Sequence, residues 1–108
     1  MHSIEYIKNH FDEKITLSEI VRRSAMSKTN FCTIFNSITG MPFKEYLNSY
    51  RIERAAELIA SGEKISVAAS SCGFSDLSTF YRNFKKYMKR SPTEFANKKR
   101  THQKEKAR

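Results

Sequence analysis

GFSDLSTFYRNFKKYMKRSPTEF, residues 73–95, holds one turn and two helix starts. Gly73 can supply the left-handed backbone that ends a preceding helix. Ser75 then reads as the cap of a new helix, whose inner face is Phe80, Phe84 and Tyr87. Ser91-Pro92-Thr93-Glu94 is a capping box with proline at the first helical position, and it opens a short closing helix. Just upstream, residues from about Ser66 to Cys72 read as a short helix of poor intrinsic propensity. It lacks a capping pair, with Lys64 and Val67 where one would stand. Short helix, tight turn, capped second helix is the helix-turn-helix arrangement.

The same arrangement occurs earlier. Placing LSEIVRRSAMS (17–27) over ISVAASSCGFS (65–75) puts Leu17 on Ile65, Ala25 on Gly73, Met26 on Phe74 and Ser27 on Ser75. After one inserted residue the register continues, with Phe31 on Phe80, Phe35 on Phe84 and Tyr46 on Phe95. In the first copy Thr16 and Glu19 form a capping box, with Leu17, Ile20 and Val21 inward. Ser27 caps the next helix, with Phe31, Ile34, Phe35 and Ile38 as its inner face. A 48–49-residue period also suits a helical solenoid, but such folds usually need three or more repeats and this chain offers two.

Between the copies, Gly40 and Pro42 bracket a junction. A long helix follows, from about Phe43 to Ala60, with Tyr46, Leu47, Tyr50, Ala55, Leu58 and Ile59 inward, until Ser61-Gly62 stops it. At the other end of the chain, Ser3 reads as the cap of a first helix that buries Ile4, Ile7 and Phe11. No segment alternates as a strand. The expected fold is all-α, with two helix-turn-helix subdomains at about 17–38 and 65–88 joined by the helix at 43–60, seven helices in all.

Length and composition agree. The chain has 108 residues, enough for one small domain, with 8 Phe and 5 Tyr to build a core and only 3 Gly and 2 Pro. Cys32 and Cys72 lie far apart without a CxxC partner, which fits a reduced cytoplasmic protein better than a disulfide scaffold or zinc site. No apolar run approaches a membrane span, so no membrane contact is expected.

The formal charge is +9, and its location matters more than its size. Lys85 to Arg108 carries 10 basic and 2 acidic residues, leaving 10 basic against 9 acidic in the first 84. The last twelve, Asn97–Arg108 (NKKRTHQKEKAR), contain only Ala107 as an apolar residue and read as a disordered tail after a domain spanning 1–96. Such a tail either simply solvates the chain or gives salt-sensitive, sequence-blind attraction to phosphates.

From about Ile4 to Phe95 these residues resemble the DNA-binding domain of AraC/XylS-type bacterial transcription regulators. GFSDLSTFYRNFKKYMKRSPTEF (73–95) looks like that family's second helix-turn-helix and closing helix. TGMPFKEYL (39–47) with RIERAAELI (51–59) resembles its central linker helix. The resemblance implies a double-stranded promoter or operator as partner, RNA polymerase as a further one, and a bacterial, nucleoid-associated location. It also implies a C-terminal position behind an effector-binding or receiver domain, neither of which these 108 residues contain.

By the family register, the outward positions are Lys28, Thr29, Cys32 and Thr33 in the first recognition helix and Leu77, Ser78, Tyr81 and Arg82 in the second. Lys85 and Lys86 reach phosphate, and the capping Ser27 and Ser75 leave helix amides turned towards phosphate oxygens. Arginine can take guanine O6 and N7 together, whereas Thr or Leu can touch a thymine methyl. For Leu77 and Tyr81 the alternative is packing onto a neighbouring helix. The departures from the family are a neutral Thr33 where arginine is usual, neutral Asn36 and Ser37, Ala25 and Lys89 where glycine is frequent, and Ala96 where arginine is usual.

Two other function classes compete. No histidine lies near either cysteine in sequence, and no nucleophile turn or Gly-rich phosphate loop occurs, so an enzyme is not expected. His2, His10 and His102 show no ligand spacing, so neither metal nor cofactor is expected. A helical protein-interaction module with an acidic partner would also use the basic end.

Overall fold

The computed structural model describes residues 2–97, and each regular element among them is a helix. In order these are α1 (His2–His10), α2 (Leu17–Ser24), α3 (Lys28–Thr39), α4 (Phe43–Ala60), α5 (Ile65–Ser71), α6 (Leu77–Met88) and α7 over 92–97. Seven helices are thus present among the described residues, as the sequence implies. Apart from Asn97, which is helical, the basic tail lies outside the described residues.

Local chemistry sets most boundaries. Thr16 accepts the Glu19 amide at 3.2 Å, Ser27 accepts the Asn30 amide at 3.2 Å, and Ser91 accepts the Glu94 amide at 3.2 Å. Each satisfies one of the orphan donors at a helix start. Gly40 ends α3 with φ 78°, while Ala25 (58°) and Lys89 (64°) adopt left-handed backbone without being glycine. Lys64 precedes α5 without any side-chain cap.

The α4 helix decides the architecture. Its buried residues near the start are Phe43 and Leu47, and those near the end are Ile52, Ala55, Ala56 and Ile59. At 3.6 residues per turn, these two groups point roughly 150° apart around the axis. One end of α4 therefore joins a core of Ile7, Ile20, Phe31 and Phe35, and the other joins Ala68, Ala69, Cys72, Phe74, Phe80, Phe84 and Phe95. A single amphipathic stripe would have made one bundle; two opposed stripes make a linker.

The repeat extends to ring geometry. Phe31 and Phe35 stack at 5.5 Å, and Phe80 and Phe84 lie 5.6 Å apart. Phe35 meets Tyr46 edge-on at 5.4 Å, as Phe84 meets Phe95 at 5.5 Å. The four phenylalanines of α3 and α6 are fully buried, each contributing on the order of 1.5–3 kcal/mol.

Three expectations change. Ser3 does not precede α1 but lies inside it, buried. Ile34 and Ile38 are 39% and 55% exposed rather than inward, because none of the described helices covers the flank of α3 beyond the Phe31/Phe35 stripe. The cap of α6 is Asp76, not Ser75: its carboxylate accepts the Ser78 amide at 3.3 Å and the Thr79 amide at 3.1 Å. The inserted residue of the second copy therefore falls before the cap, and Asp76 is the counterpart of Ser27.

Candidate nucleic-acid interface

With that correction α3 and α6 correspond residue for residue. Each has 12 residues, a side-chain cap at the start and a left-handed residue at the end. Buried phenylalanines occupy the fourth and eighth positions of both helices. At about 100° per residue, the positions opposite that buried stripe are Thr29, Thr33 and Ser37 in α3, and Ser78, Arg82 and Lys86 in α6.

All twelve residues singled out from sequence are exposed. Their surroundings differ. Lys28 and Cys32 lie towards the flank that faces α2 and α4. Lys28 borders a groove with Leu17, Ser18 and Val21. Cys32 borders a cleft of about 610 Å³ that it shares with Thr16, Asn36, Lys44 and Arg51. Leu77 and Tyr81, at 46% and 38% exposed, do not pack away against another helix.

In α6 the outward face is organised by Asp76. Its carboxylate accepts the Thr79 hydroxyl at 2.8 Å, and the same hydroxyl oxygen accepts Arg82 Nη2 at 3.3 Å. The Thr79 hydroxyl hydrogen bond is the largest influence holding the Asp76 carboxyl below the ordinary aspartate range, with backbone amides and Arg82 adding to it. A charged carboxylate therefore already occupies the amides of Ser78 and Thr79. These are amides that the expected Ser75 cap would have left turned towards phosphate oxygens. At α3 the neutral Ser27 leaves no such charge.

The cations divide similarly. Lys86 Nζ lies 3.9 Å from Glu45 Oε1 and 5.3 Å over the Tyr87 ring, while the Tyr87 hydroxyl donates to the Glu45 carbonyl at 3.4 Å. Lys85 forms no ion pair among the described residues. Asp76 and Thr79, which organise this face, are missed by the sequence reading: aspartate ranks with serine as a cap, and of the two adjacent candidates the reading takes Ser75.

Neither cysteine forms a disulfide. Burial pushes the Cys72 thiol up to about 11, so it is not a thiolate at neutral pH. No cluster of three metal-ligating side chains occurs among the described residues, and none of their helices is long and apolar enough to cross a membrane.

The sequence model of a family described as a helix-turn-helix domain matches residues 20–98. The transcriptional regulatory protein HptR of Staphylococcus aureus is 29% identical over 92 residues, covering 85% of this chain and 36% of that protein. The chain thus spans little more than a third of that relative's length. Among solved structures, the C-terminal domain of AraT, a response regulator from Geobacillus stearothermophilus, is similar with a TM-score of 0.84 and 27% identity, over 90% of this chain and 82% of that one. The C-terminal domain of the two-component response regulator yesN from Fusobacterium nucleatum gives 0.75 and 28%, over 89% and 99%. The DNA-binding domain of AdpA, solved with a target DNA, shares the fold with a TM-score of 0.86 at 23% identity, over 94% and 92%. The chain belongs to the AraC-type helix-turn-helix family of DNA-binding domains.

Proposed function

We propose that this domain binds double-stranded DNA sequence-specifically as a monomer, with α3 and α6 seated in adjacent major-groove segments. The observation that carries this reading is the identity of frame between the two helices: equal length, matching caps and the same outward register on one chain. Two recognition helices on one face of a duplex sit about one turn, roughly 34 Å, apart, so a single chain can do what a dimer of single units does.

The chemistry assigns the roles. Arg82 takes guanine O6 and N7, while Thr29, Thr33 and Leu77 approach thymine methyls. Ser78, Tyr81 and Cys32 flank those readers. Lys28, Lys85 and, after leaving Glu45, Lys86 take phosphate oxygens. Ser27 caps α3 beside the backbone, and Ser75 extends the turn before α6. Residues 1–96 form the reading domain, and the basic residues of 97–108 add attraction that depends on salt but not on sequence.

The similarity to HptR, a transcriptional regulatory protein, supports placing this domain in a bacterial transcription regulator, acting at the nucleoid in the cytoplasm with RNA polymerase as a further partner. On this reading the domain catalyses nothing. Selection from a random duplex pool tests it. The expected product is a consensus in two blocks about one helical turn apart. Recovery of no consensus, or preference for single strands, would contradict it.

A further inference from the structure

Arg51 opens the RIERAAELI stretch and has no place in the DNA-facing set, yet its guanidinium bonds two backbone carbonyls far away in sequence. It is half-buried near the middle of α4. Its Nε donates to the Phe11 carbonyl at 2.7 Å, and its Nη2 donates to the Glu13 carbonyl at 2.8 Å. Both acceptors belong to the loop between α1 and α2. Against the Phe11–Arg51 hydrogen bond stands Gly73, in the turn between α5 and α6. A Cβ there would lie 2.8 Å from the Phe11 carbonyl oxygen and 3.0 Å from Arg51 Nε. Phe11 itself packs against both cores. One guanidinium thus ties the first subdomain's loop to the linker, at the point where the second subdomain's turn presses closest.

We propose that Arg51 is the positioning residue that sets the distance and helical phase at which α3 and α6 can occupy one duplex together. The inference rests on the proposed two-helix reading. An 18-residue helix is stiff along its axis, but it leaves each subdomain free to swing about its end. The planar guanidinium fork bonds two backbone carbonyls in fixed directions, which a lysine ammonium cannot reproduce. Burial lowers the Arg51 pKa from its usual value, and the nearby Asp12 charge opposes that shift. With the clasp in place, the second helix engages as an intramolecular event only when the site presents it at the right place; tethering gains vanish where geometry forbids joint engagement.

The test uses the full chain and the two-block duplex from selection, with one or two base pairs added or removed between blocks, plus duplexes keeping one block only. Each added pair shifts the second block by about 3.4 Å and about 35°. Wild type is expected to lose on the order of 10–100-fold in affinity per one-pair change. Arg51→Lys and Arg51→Met are expected to bind single-block duplexes within about twofold of wild type, to lose about tenfold on the native spacing, and to flatten the spacing profile to about threefold. Retention of the wild-type profile by both variants would overturn the role of Arg51 while leaving the two-helix reading standing. A wild-type chain indifferent to spacing would overturn both. Gly73→Ala, which pushes on both partners of the Phe11–Arg51 hydrogen bond, is expected to broaden the profile as well, and an unchanged profile there would also count against the clasp.

Discussion

The Arg82 guanidinium donates to the Thr79 hydroxyl at 3.3 Å, and that hydroxyl is itself held by the Asp76 carboxylate at 2.8 Å. A flexible arginine is thereby biased towards one rotamer before DNA arrives. Fixing a rotamer-rich side chain on binding costs about 0.5–1.5 kcal/mol, and pre-ordering removes part of that cost. Thr79→Val is therefore expected to weaken binding to the selected duplex about threefold and to relax the same base position that Arg82→Ala relaxes. Titration against single-base variants checks this. Relaxation at some other position would mean Thr79 acts independently of Arg82.

The two reading helices carry unequal chemistry. Where α6 presents Arg82, α3 presents the neutral Thr33 in the same register. A bidentate arginine–guanine pair gives about 1–3 kcal/mol of discrimination, which a threonine contact does not match. Arg82→Ala is expected to cost about that much and loosen one consensus position, whereas Thr33→Ala costs less and leaves the consensus nearly unchanged. Thr33→Ala proving the costlier change, with both variants folded, would reverse the assignment.

Asp76 also makes an acid-side prediction. Its folded pKa is depressed, first by the Thr79 hydroxyl. A carboxyl with a folded pKa below its unfolded value contributes stability that is complete above the unfolded value, about 3.9, and disappears as pH falls through the folded one. Asparagine caps about as well as aspartate but does not titrate. Melting temperatures followed from pH 7 downwards should thus show little difference between wild type and Asp76→Asn near neutrality. Below about pH 4 the wild type should fall more steeply. Parallel curves through that range would remove the carboxylate from the account.

Backbone conformation supplies an internally controlled pair. Gly73 has φ 92° and no room for a Cβ, whereas Gly62 has φ 104° and open space around it. Gly62→Ala should cost about 1–2 kcal/mol from the left-handed backbone alone, and Gly73→Ala more, because Arg51 and the Phe11 carbonyl must move as well. Ala25, at φ 58°, runs the other way: Ala25→Gly should stabilise by about 1 kcal/mol. Denaturant melts rank the three. Equal costs at Gly62 and Gly73 would mean the crowded site yields freely.

Much of the fold was legible because its boundaries rest on contacts within one helical turn. Thr16 with Glu19, Ser91 with Glu94, and Gly40 each state their helix ends in sequence, and α4 runs over the residues expected of it, Phe43–Ala60. The misreadings came where distance mattered. Ile34 and Ile38 fit the helical period of a buried face, but period cannot say how wide a face the neighbours cover. Ser75 and Asp76 are adjacent residues of equal capping quality, and only the packing of the longer second turn separates them. Arg51 reaches carbonyls 40 and 38 residues away, and backbone acceptors leave no mark on side-chain sequence. The outward residues followed from the family register; the Asp76–Thr79–Arg82 chain that organises them did not, since it depends on which residue caps α6.

Hydroxyl-radical footprinting of the full chain on its selected duplex tests the central claim most directly. Two recognition helices on one monomer predict two protected windows on the same face, about one helical turn apart, both appearing at the same protein concentration and at one chain per duplex. A single protected window at one chain per duplex, or a second window that appears only when another chain binds, would contradict it.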